Sequence, residues 1–163
     1  MIKKLTFAAL TFAAAALIPS CKSKTATVSR TGSLQAVQFR IARPTNNLEK
    51  IKTFYTQGVG LELLGSFADH AGYDGIMLGL PDKKHHLEFT QYQSKTALPA
   101  PTKENLMVFY FDSEEAYHSA NDRIQQMGIT PVEPENPYWK NKSETYEDPD
   151  GWRVIFFNGT YQP

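Results

Sequence analysis

The sequence predicts an α+β fold in which a single domain is assembled from two similar halves. Three observations predict it. Residues 34–157 state one plan twice: a short apolar strand, an amphipathic helix, then further strands. Both helices carry an apolar stripe at a helical period, and the strands alternate apolar with polar residues at a period of two. The repeat of about 70 residues exceeds the 20–50 residues of solenoid units, so the two copies read as halves of one domain. A ligand site is expected where such halves meet.

Residues 1–20 stand outside this plan. Lys3 and Lys4 precede an apolar run over residues 5–18, followed by Pro19-Ser20-Cys21, the order of a secretory signal peptide. The run is too short for a bilayer of ~30 Å, which takes about 20 apolar residues. Ile18-Pro19-Ser20-Cys21 resembles the lipobox of bacterial lipoproteins. That resemblance implies cleavage before Cys21, acylation of Cys21 and a lipid-anchored protein in the cell envelope, outside the cytoplasm, on a periplasmic face or at the cell surface. An ordinary signal peptide with an incidental Cys21 is the alternative. Cys21 is the one cysteine of the chain, so no intrachain disulfide can form.

Residues 21–33, polar and without apolar periodicity, read as a tether. Residues 34–160 then form the domain, with modules 34–95 and 104–160 joined by a linker, 96–103, that Pro99 and Pro101 stiffen. The full chain carries 17 basic and 17 acidic side chains, and losing Lys3 and Lys4 leaves it slightly acidic. It has no basic run interleaved with aromatics, which excludes the usual nucleic-acid footprint.

In the first module, Val37, Phe39 and Ile41 alternate with Gln38, Arg40 and Ala42. A helix follows, with Asn46 and Glu49 spaced as a capping box, a stripe of Leu48, Ile51, Phe54 and Tyr55, and Gly58 and Gly60 as its stop. LELLGSF and GIMLGL read as strands. HHLEFTQY sends His86, Glu88, Thr90 and Tyr92 to one side and Leu87 and Phe89 to the other. The apolar side should meet the helix.

The second module opens with NLMVFYF. Its helix starts at Ser113, aligns Tyr117, Ala120, Ile124 and Met127, and stops at Gly128. ITPVEP and SETYE read as strands, and Glu147 to Gly151 as a turn in which Pro149 fixes φ and Gly151 accepts a positive φ. The last strand, WRVIFF, turns Trp152, Val154 and Phe156 one way and Arg153, Ile155 and Phe157 the other.

The doubled plan, NLEKIKTFYTQGVGLELLG in the first half and EDPDGWRVIFF closing the second resemble the vicinal oxygen chelate superfamily, which includes glyoxalase I, bleomycin-resistance proteins, fosfomycin-resistance enzymes and extradiol dioxygenases. The resemblance implies two βαβββ modules, each with one main helix, whose mixed sheets curl into a cup. It also implies four metal-ligand positions, one on each of four strands. These fall near Arg40 or Gln38, on Glu88, on Asn105 and on Ile155. Only Glu88 is of the right chemistry.

A divalent metal generally takes three or more ligands from His, Cys, Asp or Glu. His86 shares a strand face with Glu88 and gives a weaker, displaced alternative, but His70, His85 and His118 do not complete it. No cofactor is therefore expected, with a divalent metal as the alternative. The cup positions instead suggest ligand-binding residues: Arg40, Arg153, Met107, Phe109 and Phe157, with Tyr138 and Trp139 arriving as a lip. Arginines hold carboxylate or phosphate in pairs of hydrogen bonds, and aromatic walls sandwich flat bodies. A plainer reading pairs Arg40 with Glu88 internally and leaves Met107, Phe109 and Phe157 as core.

Two functions of different class follow, each for a small-molecule partner. One is a binding protein of the bleomycin-resistance kind, holding an anionic or aromatic molecule. The other is a lyase, isomerase or dioxygenase-type enzyme with Glu88 as general base or metal ligand and His86 as acid or orienting group. A third reading leaves the cup vestigial and the protein a contact module. Members of the superfamily also exchange modules between subunits, so a homodimer stands beside the monomer.

Overall fold

The computed structural model describes residues 36–80 and 82–162. The predicted leader and tether, with Cys21, lie outside the described residues.

The first module runs β1 (Phe39–Pro44), α1 (Leu48–Thr53), β2 (Glu62–His70), β3 (Tyr73–Gly79) and β4 (His85–Tyr92). These strands form one sheet in the order β1-β4-β3-β2. β1 lies parallel to β4, with Arg40 opposite His86 and Ala42 opposite Glu88, while β4, β3 and β2 are joined antiparallel. The second module runs β5 (Leu106–Phe111), α2 (Glu114–Gln126), β6 (Ser143–Glu147) and β7 (Arg153–Asn158). Its sheet is ordered β5-β7-β6, again with the first strand parallel to the last. The two halves thus share one topology, as two open mixed sheets with a helix apiece.

ITPVEP does not form the expected strand. Pro131 and Pro134 have no N–H to give a ladder, and Val132 makes a single rung, donating to the Thr145 carbonyl at 2.7 Å. The second sheet therefore has three strands where the first has four.

α1 starts one residue later than the capping-box spacing predicts. Asn47 is the N-cap and makes no side-chain cap. Asn46 donates to the Thr96 carbonyl instead, and the Leu48 N–H is met by the Gln91 side chain at 3.2 Å. After Thr53 the helix widens into π-helical turns over Phe54–Val59. Five-residue hydrogen bonding lets Phe54, Tyr55, Gly58 and Val59 all turn inward. Gly60 then closes the helix at φ +93°, a left-handed geometry that disfavours a side chain. α2 keeps to expectation: the Ser113 hydroxyl accepts from the Ala116 N–H at 3.2 Å, and Gly128 follows at φ +80°.

Both helices bury their stripes in one continuous core. Ile51, Phe54, Tyr55, Ile76, Leu78 and Phe89 of the first half meet Tyr117, Ala120, Ile124, Tyr146, Val154 and Phe156 of the second. Each large apolar side chain buried this way stabilises the fold by about 1.5–3 kcal/mol. Arg123 of α2 fastens the junction by donating to the Gly58 and Val59 carbonyls at 2.9 and 2.7 Å. The opposite face of each sheet, away from the helices, is left for other uses. No helix among the described residues is long and apolar enough to cross a membrane.

Candidate functional site

Strand alternation sorts every candidate residue. On β1 and β4, Ile41, Leu87 and Phe89 turn toward the helix side, where the Tyr55 and Phe89 rings lie 4.9 Å apart. Arg40, His86 and Glu88 therefore share the far face, and there they touch. Arg40 Nε donates to His86 Nε2, and Arg40 Nη1 donates to Glu88 Oε2, both at 2.8 Å. The Glu88 side chain is 14% exposed and that of Arg40 is 47% exposed, so the guanidinium forms the outward surface of the group.

The geometry fixes a tautomer. Because His86 Nε2 accepts from an arginine that is always charged, the neutral ring carries its proton on Nδ1. That Nδ1 is buried and has no hydrogen-bond partner among the described residues. Two of the five Arg40 N–H groups are used by His86 and Glu88, and the other three have no partner among the described residues.

None of the remaining predicted residues makes a hydrogen bond or ion pair with this group. Arg153 does face away from the helices but is 5% exposed, forming an ion pair with Glu147 at 3.1 Å and donating to the Glu133 carbonyl at 3.3 Å. It is committed within its own module. Met107 and Phe109 pair in register with Val154 and Phe156, whereas Arg153 and Phe157 pair with Leu106 and Tyr110. A one-residue difference in register places them on the helix side, so they are not cup residues beside Arg153. There they line a crevice of about 280 Å³ between the modules, with Phe39, Ile41, Leu78 and Leu87, and His86 of the charged group borders the same crevice.

Tyr138 and Trp139 sit on a short 3-10 turn, Pro137–Trp139, held by the Asn136 side chain. Tyr138 is exposed and Trp139 half-buried, its ring 6.0 Å from that of Phe157. They form a lip over the second sheet. Their contacts are with Lys142 and Phe157, not with Arg40.

The four ligand positions implied by the resemblance do not fit a metal. Glu88 is matched, but Arg40 is a cation, and the Asn105 side chain is occupied in accepting from the Thr102 N–H at 2.8 Å. Ile155 is fully buried. Among the described residues no three His, Cys, Asp or Glu side chains gather closely enough to hold a metal ion.

A second charged cluster was not singled out from the sequence. Arg43 falls on the same strand face as Phe39 and Ile41, which sends it to the helix side. Its guanidinium lies 4.9 Å from the Phe89 ring centre and 4.6 Å from that of Trp152, and it donates to the Asp148 carboxylate. Asp148 also accepts from the Tyr55 hydroxyl at 2.8 Å and from the backbone N–H groups of Asp150 and Trp152 at 2.9 and 3.0 Å. Burial, and then the neighbouring Asp148 charge, hold the Tyr55 hydroxyl well above its ordinary pKa. An arginine on the apolar face of an alternating strand was the signal for this cluster.

The fold and both charged groups can be set beside known proteins. Residues 39–90 match the YycE-like N-terminal domain and residues 104–158 the YycE-like C-terminal domain. The chain is 47% identical over 129 residues to the uncharacterized protein YycE of Bacillus subtilis (strain 168), a match covering 79% of this chain and 93% of that protein. The crystal structure of Bacillus subtilis YycE superimposes with a TM-score of 0.74 at 46% identity, covering 78% of this chain and 93% of that one. More distant likenesses concern the fold alone. The fosfomycin resistance protein FosX of Mesorhizobium loti gives a TM-score of 0.58 at 13% identity, over 75% of this chain and 90% of that one. TnmS3, an antibiotic binding protein from Streptomyces sp. CB03234, gives 0.57 at 21% identity, over 79% and 99%. With both modules matched and a relative of this identity spanning nearly its whole length, the chain belongs to the YycE-like family, and it shares the fold of the glyoxalase and fosfomycin-resistance proteins.

Proposed function

We propose that this protein binds a small anionic or aromatic molecule on the helix-distal face of its first module and holds it without transforming it. One observation carries the reading: Arg40, His86 and Glu88 converge there, with the unused donors of Arg40 facing outward. A guanidinium held in place by two partners loses less freedom on binding than a free one, which favours affinity. That a protein of this fold is described as antibiotic-binding supports a binding role without supplying a ligand.

A thermal-shift screen of small carboxylates, phosphonates and aromatic drugs tests the reading. A ligand at 100 times its Kd adds about 2.7 kcal/mol, several degrees in Tm. Arg40→Ala should cancel that shift while leaving the unliganded Tm nearly unchanged. If every ligand that stabilises the protein stabilises Arg40→Ala equally, the site is elsewhere.

A second copy of the chain completes the cup in this reading. β1 and β5 are both outer strands with an edge that pairs with no other strand among the described residues, and Val37, Phe39, Ile41 and Tyr110 on or beside them are exposed. Unprotected edges of this kind favour strand addition by another chain. Light scattering of the purified protein should give twice the chain mass, and Ile41→Lys should halve it. The proposal extends to location: acylation at Cys21 tethers the domain outside the cytoplasm. Cys21→Ser should release it from the membrane fraction.

A further inference from the structure

We infer that the Arg40 guanidinium is the resident cation of this site, occupying the place at which the superfamily resemblance puts a divalent metal. The inference rests on the site assignment above and adds to it the identity of the positive charge.

The register makes the substitution local. Arg40 lies directly opposite His86 and Ala42 directly opposite Glu88, so residues 40, 86 and 88 project from the same face of two parallel strands. His86 Nε2 and Glu88 Oε2, two atoms that could coordinate a metal, both accept from Arg40. Both distances are 2.8 Å, the length of charge-assisted hydrogen bonds. A metal bonded to the same two atoms at about 2.0–2.2 Å would need the volume filled by the guanidinium. It would also meet a charge that cannot be removed, because arginine stays protonated throughout the pH range of a folded protein.

The two cations differ in what they offer. A metal presents empty coordination positions that bind water and exchange ligands. The guanidinium presents N–H groups in a fixed plane, which recognise two oxygens of a carboxylate or phosphonate side by side. Small Ala42 beside Arg40 leaves the approach to that plane open.

Replacing the resident charge should expose the latent site. Arg40→His adds a third ligand to His86 and Glu88 and makes a two-histidine, one-carboxylate set, which suits Mn²⁺, Fe²⁺ or Zn²⁺. Titration calorimetry of the full chain with Mn²⁺ and with Zn²⁺ reads the result. The unaltered protein and Arg40→Lys, which keeps the charge, are expected to show no saturable site below about 100 μM, whereas Arg40→His gains one per chain at least tenfold tighter. Adding Glu88→Gln to Arg40→His should remove it. Because Arg40 is exposed, circular dichroism should show all four proteins equally folded. The inference is overturned if the unaltered protein or Arg40→Lys binds either metal within tenfold of Arg40→His, or if folded Arg40→His gains no site. The outcome is independent of the ligand screen. A screen without hits alongside the expected metal results removes the binding function and leaves the resident cation standing.

Discussion

The Arg43 guanidinium, carried on the first strand, is seated on the carboxylate of Asp148, 105 positions later in the turn before the last strand. The Asp148 side chain is fully buried and that of Arg43 is 9% exposed, so this pair joins the two modules where water cannot compete. Removing one partner of a buried pair leaves the other charge uncompensated, at about 3–5 kcal/mol. Arg43→Met or Asp148→Ala should lower the urea-derived stability by that amount. The Arg40–Glu88 pair, whose arginine is half exposed, provides the contrast, and Arg40→Ala should cost less, about 1 kcal/mol.

Burial of a tyrosine against the same carboxylate sets an alkaline limit. Tyr55, buried against Asp148, keeps its proton in the folded protein to a higher pH than in the unfolded chain. Burial also pushes Tyr146 up, to about 12. Above about pH 10 the unfolded chain binds fewer protons than the folded one, and linkage then makes stability fall as pH rises. Denaturation midpoints should be flat in this respect below about pH 10 and decline between pH 10 and 12. Tyr55→Phe should be less stable at neutral pH, having lost a hydrogen bond, but should decline less steeply over that range. An equally steep decline would place the sensitivity elsewhere.

Gly60 cannot accept a side chain. Its φ is +93°, and a Cβ there would lie 2.8 Å from Arg123 Nη2, the atom that holds the Val59 carbonyl. Gly60→Ala combines left-handed strain, of order 1–2 kcal/mol, with displacement of that contact. A loss of more than 1 kcal/mol is expected. Gly128→Ala has the same backbone strain but no neighbour within 4 Å of the new Cβ, and should lose less. Thermal denaturation of the two variants side by side checks the order.

Glu88→Gln separates binding from turnover. Glutamine keeps the shape but removes the charge that neutralises Arg40, so an anionic ligand should bind several-fold more tightly. An enzyme using Glu88 as general base would instead lose about 10²- to 10⁴-fold in rate on the same change. Calorimetry with any ligand found by thermal shift, together with product analysis by mass spectrometry, distinguishes the two outcomes.

Much of this architecture was legible in local pattern. Both helices, Gly60 and Gly128 as their stops, the turn at Gly151 and the placement of Leu87 and Phe89 beneath a helix follow from spacing and backbone preference. The union of Arg40, His86 and Glu88 followed in part, since alternation put the latter two on one face. The capping box at Asn46 failed because Thr96 and Gln91, distant in sequence, offered better partners. The strand at ITPVEP failed because its prolines remove ladder donors, a cost that apolar alternation does not register.

The sequence by itself determined the doubled plan, the strand faces and the absence of four matching metal ligands, since periodicity and residue chemistry are local properties. Only the tertiary structure decided which faces meet. Parallel pairing of β1 with β4 put Arg40 against His86 and Glu88, and one step of register between β5 and β7 took Met107 and Phe109 to the side opposite Arg153. Closing the chain over 105 residues turned Arg43, an anomaly on an apolar strand face, into the partner of Asp148. Register and long-range closure are settled by the summed burial of the whole core, which no local window contains.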